Sequence, residues 1–374
     1  MKNSLVIGEV KGIKIEINIS WLIIFGLVTF MLATNFFPLN YPAWDPLLSW
    51  LLGALVAIFM FFSVLLHELS HSIVAIKNGI DVKKITLFIF GGVAQIEKEP
   101  DEPLKELKIA IAGPAMSIFL SVSFSLLASG AASLGASEYI TVPLNYLGAV
   151  NMVLALFNMV PAFPLDGGRV LRALIWYFKG DIRFATKISS SIGGFFGYFL
   201  IFTGIFQALG GQFVGGLWFV FIGWFINQAS QISYQQTLVT DIFKKIKVKE
   251  FMTKDVVVID YHKTIKDMVD DYLYNYKYKS FPVRRIDEIV GVVGINEIKN
   301  MPNHLWDEKL VVEIMRPLTE DMVVSPDSNV TDSLKSLAKN GLGRVLVMEE
   351  DEIVGIISNT DVLNYIRINS ELET

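Results

Sequence analysis

The chain has 374 residues, of which 52% are hydrophobic and only 18% charged. Soluble domains average about 25% charged residues, so an ordinary cytosolic enzyme is a poor fit. The absence of cysteine excludes disulfides, thiolate metal sites and cysteine nucleophiles, and a net charge of −5 gives no ground for a nucleic-acid partner.

The averages hide a division near Tyr234. Residues 1–234 hold 14 Lys/Arg and 13 Asp/Glu, whereas residues 235–374 hold 18 and 24. The first part reads as a membrane domain and the second as a water-soluble one. In chain order, Ile13–Ile19 alternates like a strand. Six apolar stretches then follow, each long enough to span a bilayer: Trp21–Pro38, Leu48–Ile76, Leu107–Ala132, Val142–Leu165, Ile188–Leu209 and Phe213–Ser233. No small-residue cleavage site follows the first, so it reads as a span and not as a signal peptide. The loop Lys77–Lys108 carries alternating runs, Val82–Phe90 and Val93–Ile96, which predict a small sheet or hairpin. Such a sheet is either a simple structural hairpin or a partner for an extended substrate. Gly193-Gly194-Phe-Phe-Gly197 predicts close helix packing, with substrate gating by the last two spans as the alternative. Lys and Arg gather in the N-terminal segment and in the loops after the second and fourth spans, so both termini are expected on the cytoplasmic side of a multi-pass cell-membrane protein.

Within the second span lies His67-Glu68-Leu-Ser-His71. Residues i and i+4 share a helix face, so His67 and His71 can bind one metal ion while Glu68, about 100° around, reaches a water on that ion. Ionisable groups in an apolar helix cost several kcal/mol and are functional by default. Two histidines leave a zinc ion short of a third protein ligand. The other acid set against a span is Asp166, in Asn158-Met-Val-Pro161-Ala-Phe-Pro164-Leu-Asp166-Gly-Gly-Arg169, where the prolines break the helix and the glycines permit a turn. His71 lies six residues before Lys77 and Asp166 three before Arg169, so the three groups sit at similar depth.

These motifs resemble the site-2 protease family of intramembrane zinc metalloproteases, which pairs HExxH in one span with a downstream Asn/Pro/Pro-Asp-Gly segment. Phe90-Gly-Gly-Val-Ala-Gln95 resembles that family's glycine-bearing hairpin, and Ala112-Gly-Pro-Ala-Met-Ser117 its third-helix motif, with Ser117 where many members have Asn. The resemblance covers about residues 5–230. It implies one Zn²⁺ per chain on His67, His71 and Asp166, and Glu68 as general base and acid. It also implies that Asn158 steadies the substrate backbone or oxyanion. The implied substrate is a single-span membrane protein cleaved in its unwound transmembrane segment, as in regulated intramembrane proteolysis.

The soluble part repeats itself: Val248-Lys-Glu-Phe-Met252 returns as Val311-Val-Glu-Ile-Met315, and Asp287–Gly291 returns letter for letter at Asp351–Gly355. Each copy reads as a lead-in segment, a strand, a helix, two strands and a second helix. This resembles an α/β pair of cystathionine-β-synthase-type (CBS) domains, with repeats at about 241–302 and 305–370. The resemblance implies an adenine nucleotide near Ser358 and Asp361, where the first copy has Gly294 and Glu297, and a homodimer formed through the pair; a purely structural pair is the alternative. His262 and His304 read as surface residues. The expected fold class is therefore a polytopic α-helical membrane domain of about six transmembrane helices with a small cytoplasmic-side sheet, followed by the tandem CBS pair. A CBS-regulated ion channel or transporter is the competing function, since intramembrane carboxylates also serve as ion ligands; a catalytically dead scaffold is a third.

Overall fold

The structure, a computed structural model, describes residues 4–89, 91–96, 99–243, 246–299 and 301–372. It divides into two compact units, Met1–Gln235 and Gln236–Thr374.

Among the described residues six helices are long and apolar enough to cross a membrane, five within the first unit and the sixth beginning there: α1 (Ser20–Asn40), α2 (Pro46–Lys77), α3 (Pro103–Ser133), α4 (Glu138–Asn158), α6 (Ile182–Leu209) and α7 (Phe213–Phe243). Their starts follow local chemistry. Asp45 caps α2 by accepting from the Leu48 N–H at 3.2 Å, ahead of Pro46, and Asp181 caps α6 through the Phe184 N–H at 3.1 Å. The fourth stretch ends earlier than its apolarity suggests, at Asn158, because Pro161 and Pro164 offer no N–H to continue the ladder. A short amphipathic helix, α5 (Asp166–Lys179), then begins at Asp166 and stops at Gly180 in the left-handed conformation. Helices α6 and α7 pack backbone to backbone. A Cβ at Gly197 would lie 2.7 Å from the Gly223 carbonyl oxygen, and one at Gly204 2.5 Å from that of Gly216, which is the close packing that the glycine spacing predicts.

A four-stranded sheet of order β1-β2-β3-β4 accompanies these helices: β1 (Ser4–Val10), β2 (Ile13–Asn18), β3 (Val82–Phe88) and β4 (Gly91–Ile96). β2 and β3 are parallel and the other pairs antiparallel. Strand β1 was not anticipated, because its apolar residues do not alternate. Ile13, Val82 and Ile85 pack with Ala75, Ile80 and Ile109, which fastens the sheet to the ends of α2 and α3. Phe90, in the expected hairpin, lies outside the described residues.

The second unit holds two sheets. The first is β5-β6-β7-β8 (Ile259–Asp260, Ser280–Arg285, Glu288–Gly294, Arg316–Pro317), and the second has order β11-β10-β9 (β9 Val323–Val324, β10 Arg344–Glu349, β11 Glu352–Ser358). Helices α8 (Val330–Asn340) and α9 (Asn359–Leu372) cover the second. The lead-in segments cross over. Phe243, in the lead-in of the first repeat, is buried in the core of the second with Val330 and Val345, while Trp306, in the lead-in of the second, packs on the core of the first. His262 and His304 are both exposed, as expected of surface residues.

Candidate metal centre

His67 and His71 occupy the buried face of α2, and Asp166, the first residue of α5, closes on them. His67 Nε2 and His71 Nε2 each lie 3.1 Å from Asp166 Oδ2 and 3.2 Å from one another. Tetrahedral zinc with bonds of about 2.0–2.1 Å sets its ligand atoms about 3.3–3.4 Å apart, so the spacing fits such an ion. Among the described residues this is the one His/Cys/Asp/Glu group close enough to hold a metal.

Tautomers argue the same way. The Ile109 carbonyl can only accept, so His71 Nδ1, 2.6 Å away, carries the hydrogen and donates it. Its Nε2 lone pair then points at the other two ligand atoms. His67 Nδ1 lies 2.8 Å from Ser117 Oγ, a hydroxyl that can accept the same hydrogen and so allows the same tautomer. With both Nε2 atoms unprotonated, the three atoms within 3.2 Å of one another present lone pairs to one point, where a cation would relieve their repulsion.

The room for that cation comes from Gly113 on α3. A Cβ there would sit 2.5 Å from His67 Nε2 and even closer to His71 Nε2. Glu68 leans the other way, against β4: a Cβ at Gly92 would fall 2.5 Å from its Cγ, so the glycine of the hairpin makes space for this carboxylate.

Asp166 is positioned by the segment before it. The N–H of Phe163 donates to the Ser189 carbonyl of α6 at 3.4 Å, and the carbonyl of Phe163 accepts from Ser230 Oγ of α7. Gly167 and Gly168 let α5 start against this segment, since a Cβ on either would run into the backbone of Met159–Phe163. Arg172, one turn further along α5, stacks 4.9 Å from the Phe163 ring centre and pairs with the fully buried Glu106 of α3 at 2.7 Å. Gly113 and Ser117 fall in the quoted third-helix motif, but none of Glu106, Ile109, Arg172 and Ser230 was singled out. The available signal was polarity inside an apolar stretch for Ser230 and a charge at the edge of one for Glu106, and a backbone carbonyl leaves none. Asn158 stands apart from the ligand atoms' hydrogen bonds: its amide donates to the Leu154 carbonyl of its own helix at 2.9 Å.

In the second unit, Ser358 and Asp361 form a reciprocal cap at the start of α9. Asp361 Oδ2 accepts from Ser358 N–H at 2.8 Å and from Ser358 Oγ at 2.7 Å. Gly294 and Glu297 reproduce half of it in the first repeat, through one bond of 3.0 Å. Thr253, Asp255, Tyr278, Arg344, Ser358 and Asp361 line a cleft of about 50 Å³. Arg344 lies 4.4 Å from the Tyr278 ring centre, and burial pulls its guanidinium below its usual pKa, opposed by Tyr278 and Asp361.

Residues 55–136 and 129–202 match the family model of peptidase family M50, and residues 248–301 and 311–368 match that of the CBS domain. A zinc metalloprotease of Methanocaldococcus jannaschii is 31% identical over 369 residues, which covers 98% of this chain and 97% of that protein. The chain belongs to peptidase family M50, the site-2 proteases. Rip3 of Mycobacterium tuberculosis, named a candidate zinc metalloprotease, is 31% identical across 98% of this chain and 94% of its own length. The solved site-2 protease from Methanocaldococcus jannaschii is 28% identical, covers 61% of this chain and 94% of its own, and superposes with a TM-score of 0.43. This site-2 protease is thus a multi-pass membrane zinc metallopeptidase carrying two CBS domains, and the channel or transporter alternative is set aside.

Proposed function

We propose that this enzyme hydrolyses peptide bonds inside the transmembrane segments of single-span membrane proteins, the step that defines regulated intramembrane proteolysis. His67, His71 and Asp166 would hold one zinc ion, with residues 1–234 as the protease domain and 235–374 as the CBS pair. The reading is carried by three electron-rich ligand atoms converging within 3.2 Å at a helix that is otherwise apolar. Zinc bound there supplies Lewis-acid polarisation of the scissile carbonyl and lowers the pKa of a water. Glu68 takes the proton of the attacking water and hands it to the leaving amine nitrogen as the C–N bond breaks. The Ile109 carbonyl keeps His71 in the tautomer that presents Nε2, and Ser117 serves His67 in the same way by accepting its Nδ1 hydrogen.

An extended substrate adds to the outer edge of β4, which supports the sheet's recognition role over a purely structural one. Among the described residues β4 pairs only with β3, and its Gly92 stands against Glu68. Asn158 serves the substrate backbone or oxyanion once its amide leaves the Leu154 carbonyl. Positive charge in the N-terminal segment and in the loops after the second and fourth spans supports cytoplasmic termini.

The CBS pair takes an adenine nucleotide at Ser358 and Asp361 and joins two chains. Small-molecule pockets run to about 300–1,000 Å³, so Arg344 must leave Tyr278 to admit it. The decisive experiment is Glu68→Gln in a membrane-tethered reporter assay with metal analysis. Zinc should stay stoichiometric while cleavage disappears, and unchanged cleavage would remove Glu68 from the mechanism. Calorimetry of the full chain with adenine nucleotides tests the second site, and no heat with any of them returns the pair to a structural role.

A further inference from the structure

Strand β1 differs from the rest of its sheet. Its sequence, Ser-Leu-Val-Ile-Gly-Glu-Val, leaves Leu5, Val6 and Ile7 exposed by 71, 55 and 52%. Successive residues on a strand point to opposite faces, so Leu5 and Val6 make both faces apolar. Among the described residues its backbone pairs only with β2, which leaves the outer edge open. In water, an apolar strand with an open edge invites aggregation.

The surroundings say what covers it. The strand begins opposite Asn18, two residues before α1, and α1 continues the apolar surface through exposed Ile19, Leu22 and Ile23. Leu5, Ile17, Ile19, Trp21 and Leu22 line a single groove of about 440 Å³ between strand and helix. The Trp21 indole N–H is buried without a hydrogen-bond partner. At the other end of the hairpin Lys11 and Lys14 are exposed, with Glu9 the acid beside them; Glu16 is already paired to Lys84 at 2.9 Å.

We propose that β1 and this groove form a lipid site: the strand lies in the interfacial layer of the bilayer, and a glycerophospholipid acyl chain fills the groove. Continuity with the membrane-facing surface of α1 selects lipid over a protein partner. An open backbone edge has no place in hydrocarbon, but the interface offers it water and ester carbonyls. Lys11 and Lys14 are exposed and can reach lipid phosphates. Anchored in this way, β1 fixes the depth of a sheet whose far strand stands beside Glu68.

The chain has no cysteine, so single-cysteine variants carry no background. Leu5→Cys, Ile7→Cys, Lys11→Cys and Ile23→Cys would each be nitroxide-labelled in the full-length protein. The proteins would be reconstituted in vesicles of phosphatidylcholine with phosphatidylglycerol. Relaxation by oxygen and by a water-soluble nickel chelate should give labels 5 and 7 an oxygen-to-nickel ratio close to that of label 23 and severalfold above that of label 11. A ratio at 5 and 7 equal to that at 11 overturns the proposal. So does strong dipolar coupling between labels at 5 on two copies, which would make a second chain the occupant. The variants sit at exposed positions, and retained thermal stability keeps a negative result decisive.

Discussion

Substituting the same residue type twice on one helix tests the centre without touching a ligand. At Gly113 of α3 the added Cβ of alanine would lie 2.5 Å from His67 Nε2 and 2.6 Å from His71 Cε1, whereas ordinary contact begins at 3.4 Å. The imidazoles must therefore retreat by at least 3.4 − 2.5 = 0.9 Å. Zinc sites tolerate deviations of about 0.2 Å, so at least one histidine is lost as a ligand. Changes in the groups around a ligand cost about 10–100-fold in metal affinity, and losing a ligand should exceed that range, beyond about 100-fold. At Gly130, on the same helix, an added Cβ meets nothing within 4 Å, and the gain in backbone order stabilises by about 0.5–1 kcal/mol. The assay is zinc affinity by competition with a chelator, alongside thermal denaturation. Gly113→Ala should fold and fail to hold zinc, and Gly130→Ala should do neither harm. Retention of zinc by Gly113→Ala within tenfold of the parent protein would refute the placement of the ion.

Ser117→Ala removes the partner of His67 Nδ1 and should weaken zinc by about 10–100-fold with the ligand set intact; chelator competition reads it. Ser230→Ala leaves the Phe163 carbonyl without its donor, a loss of about 1–3 kcal/mol for a buried acceptor. It should speed zinc loss to chelator, and Ser230→Thr should restore the parent rate. Glu106→Leu leaves the buried Arg172 only the partly exposed Glu99, at 4.0 Å, and should destabilise by about 3 kcal/mol, while Glu106→Leu with Arg172→Met should recover most of it; denaturation in detergent distinguishes them.

The parts of the site legible in the sequence are those in which a side chain's chemistry and its helical spacing coincide. His67 and His71 declare a shared face by their separation alone, and Asp166 follows from depth. Two proline positions likewise announce the break after Asn158. What escaped has a physical reason in each case. The partner of His71 is a backbone carbonyl, which every residue has. Gly113 stands in the quoted third-helix motif, but its role escaped, because it acts by lacking a side chain and glycines are common in membrane helices. Ser117 departs from the Asn of the resembling motif, yet its hydroxyl still puts a polar atom 2.8 Å from His67 Nδ1. Arg172 counts as a cytoplasmic loop charge by position but is only 3% exposed, because Glu106 neutralises it. Strand β1 defeats a search for alternation because both its faces are apolar.

Helix α3 supplies no ligand and no general base, yet most of the centre is built on it. Glu106, Ile109, Gly113 and Ser117 fall within an arc of about 80° at 100° per residue, so one face presents all four. Each contributes something different: a charge that fixes α5, a carbonyl that sets the His71 tautomer, a position without a side chain beside both imidazoles, and a hydroxyl that holds His67 Nδ1. A helix packed this closely cannot turn without disturbing all of them together. On the proposed reading the three ligands His67, His71 and Asp166 are therefore not sufficient for zinc, and neither is the full signature that adds Glu68. A chain keeping all four while bearing a side chain at Gly113 would carry the family's motif and still lack its metal.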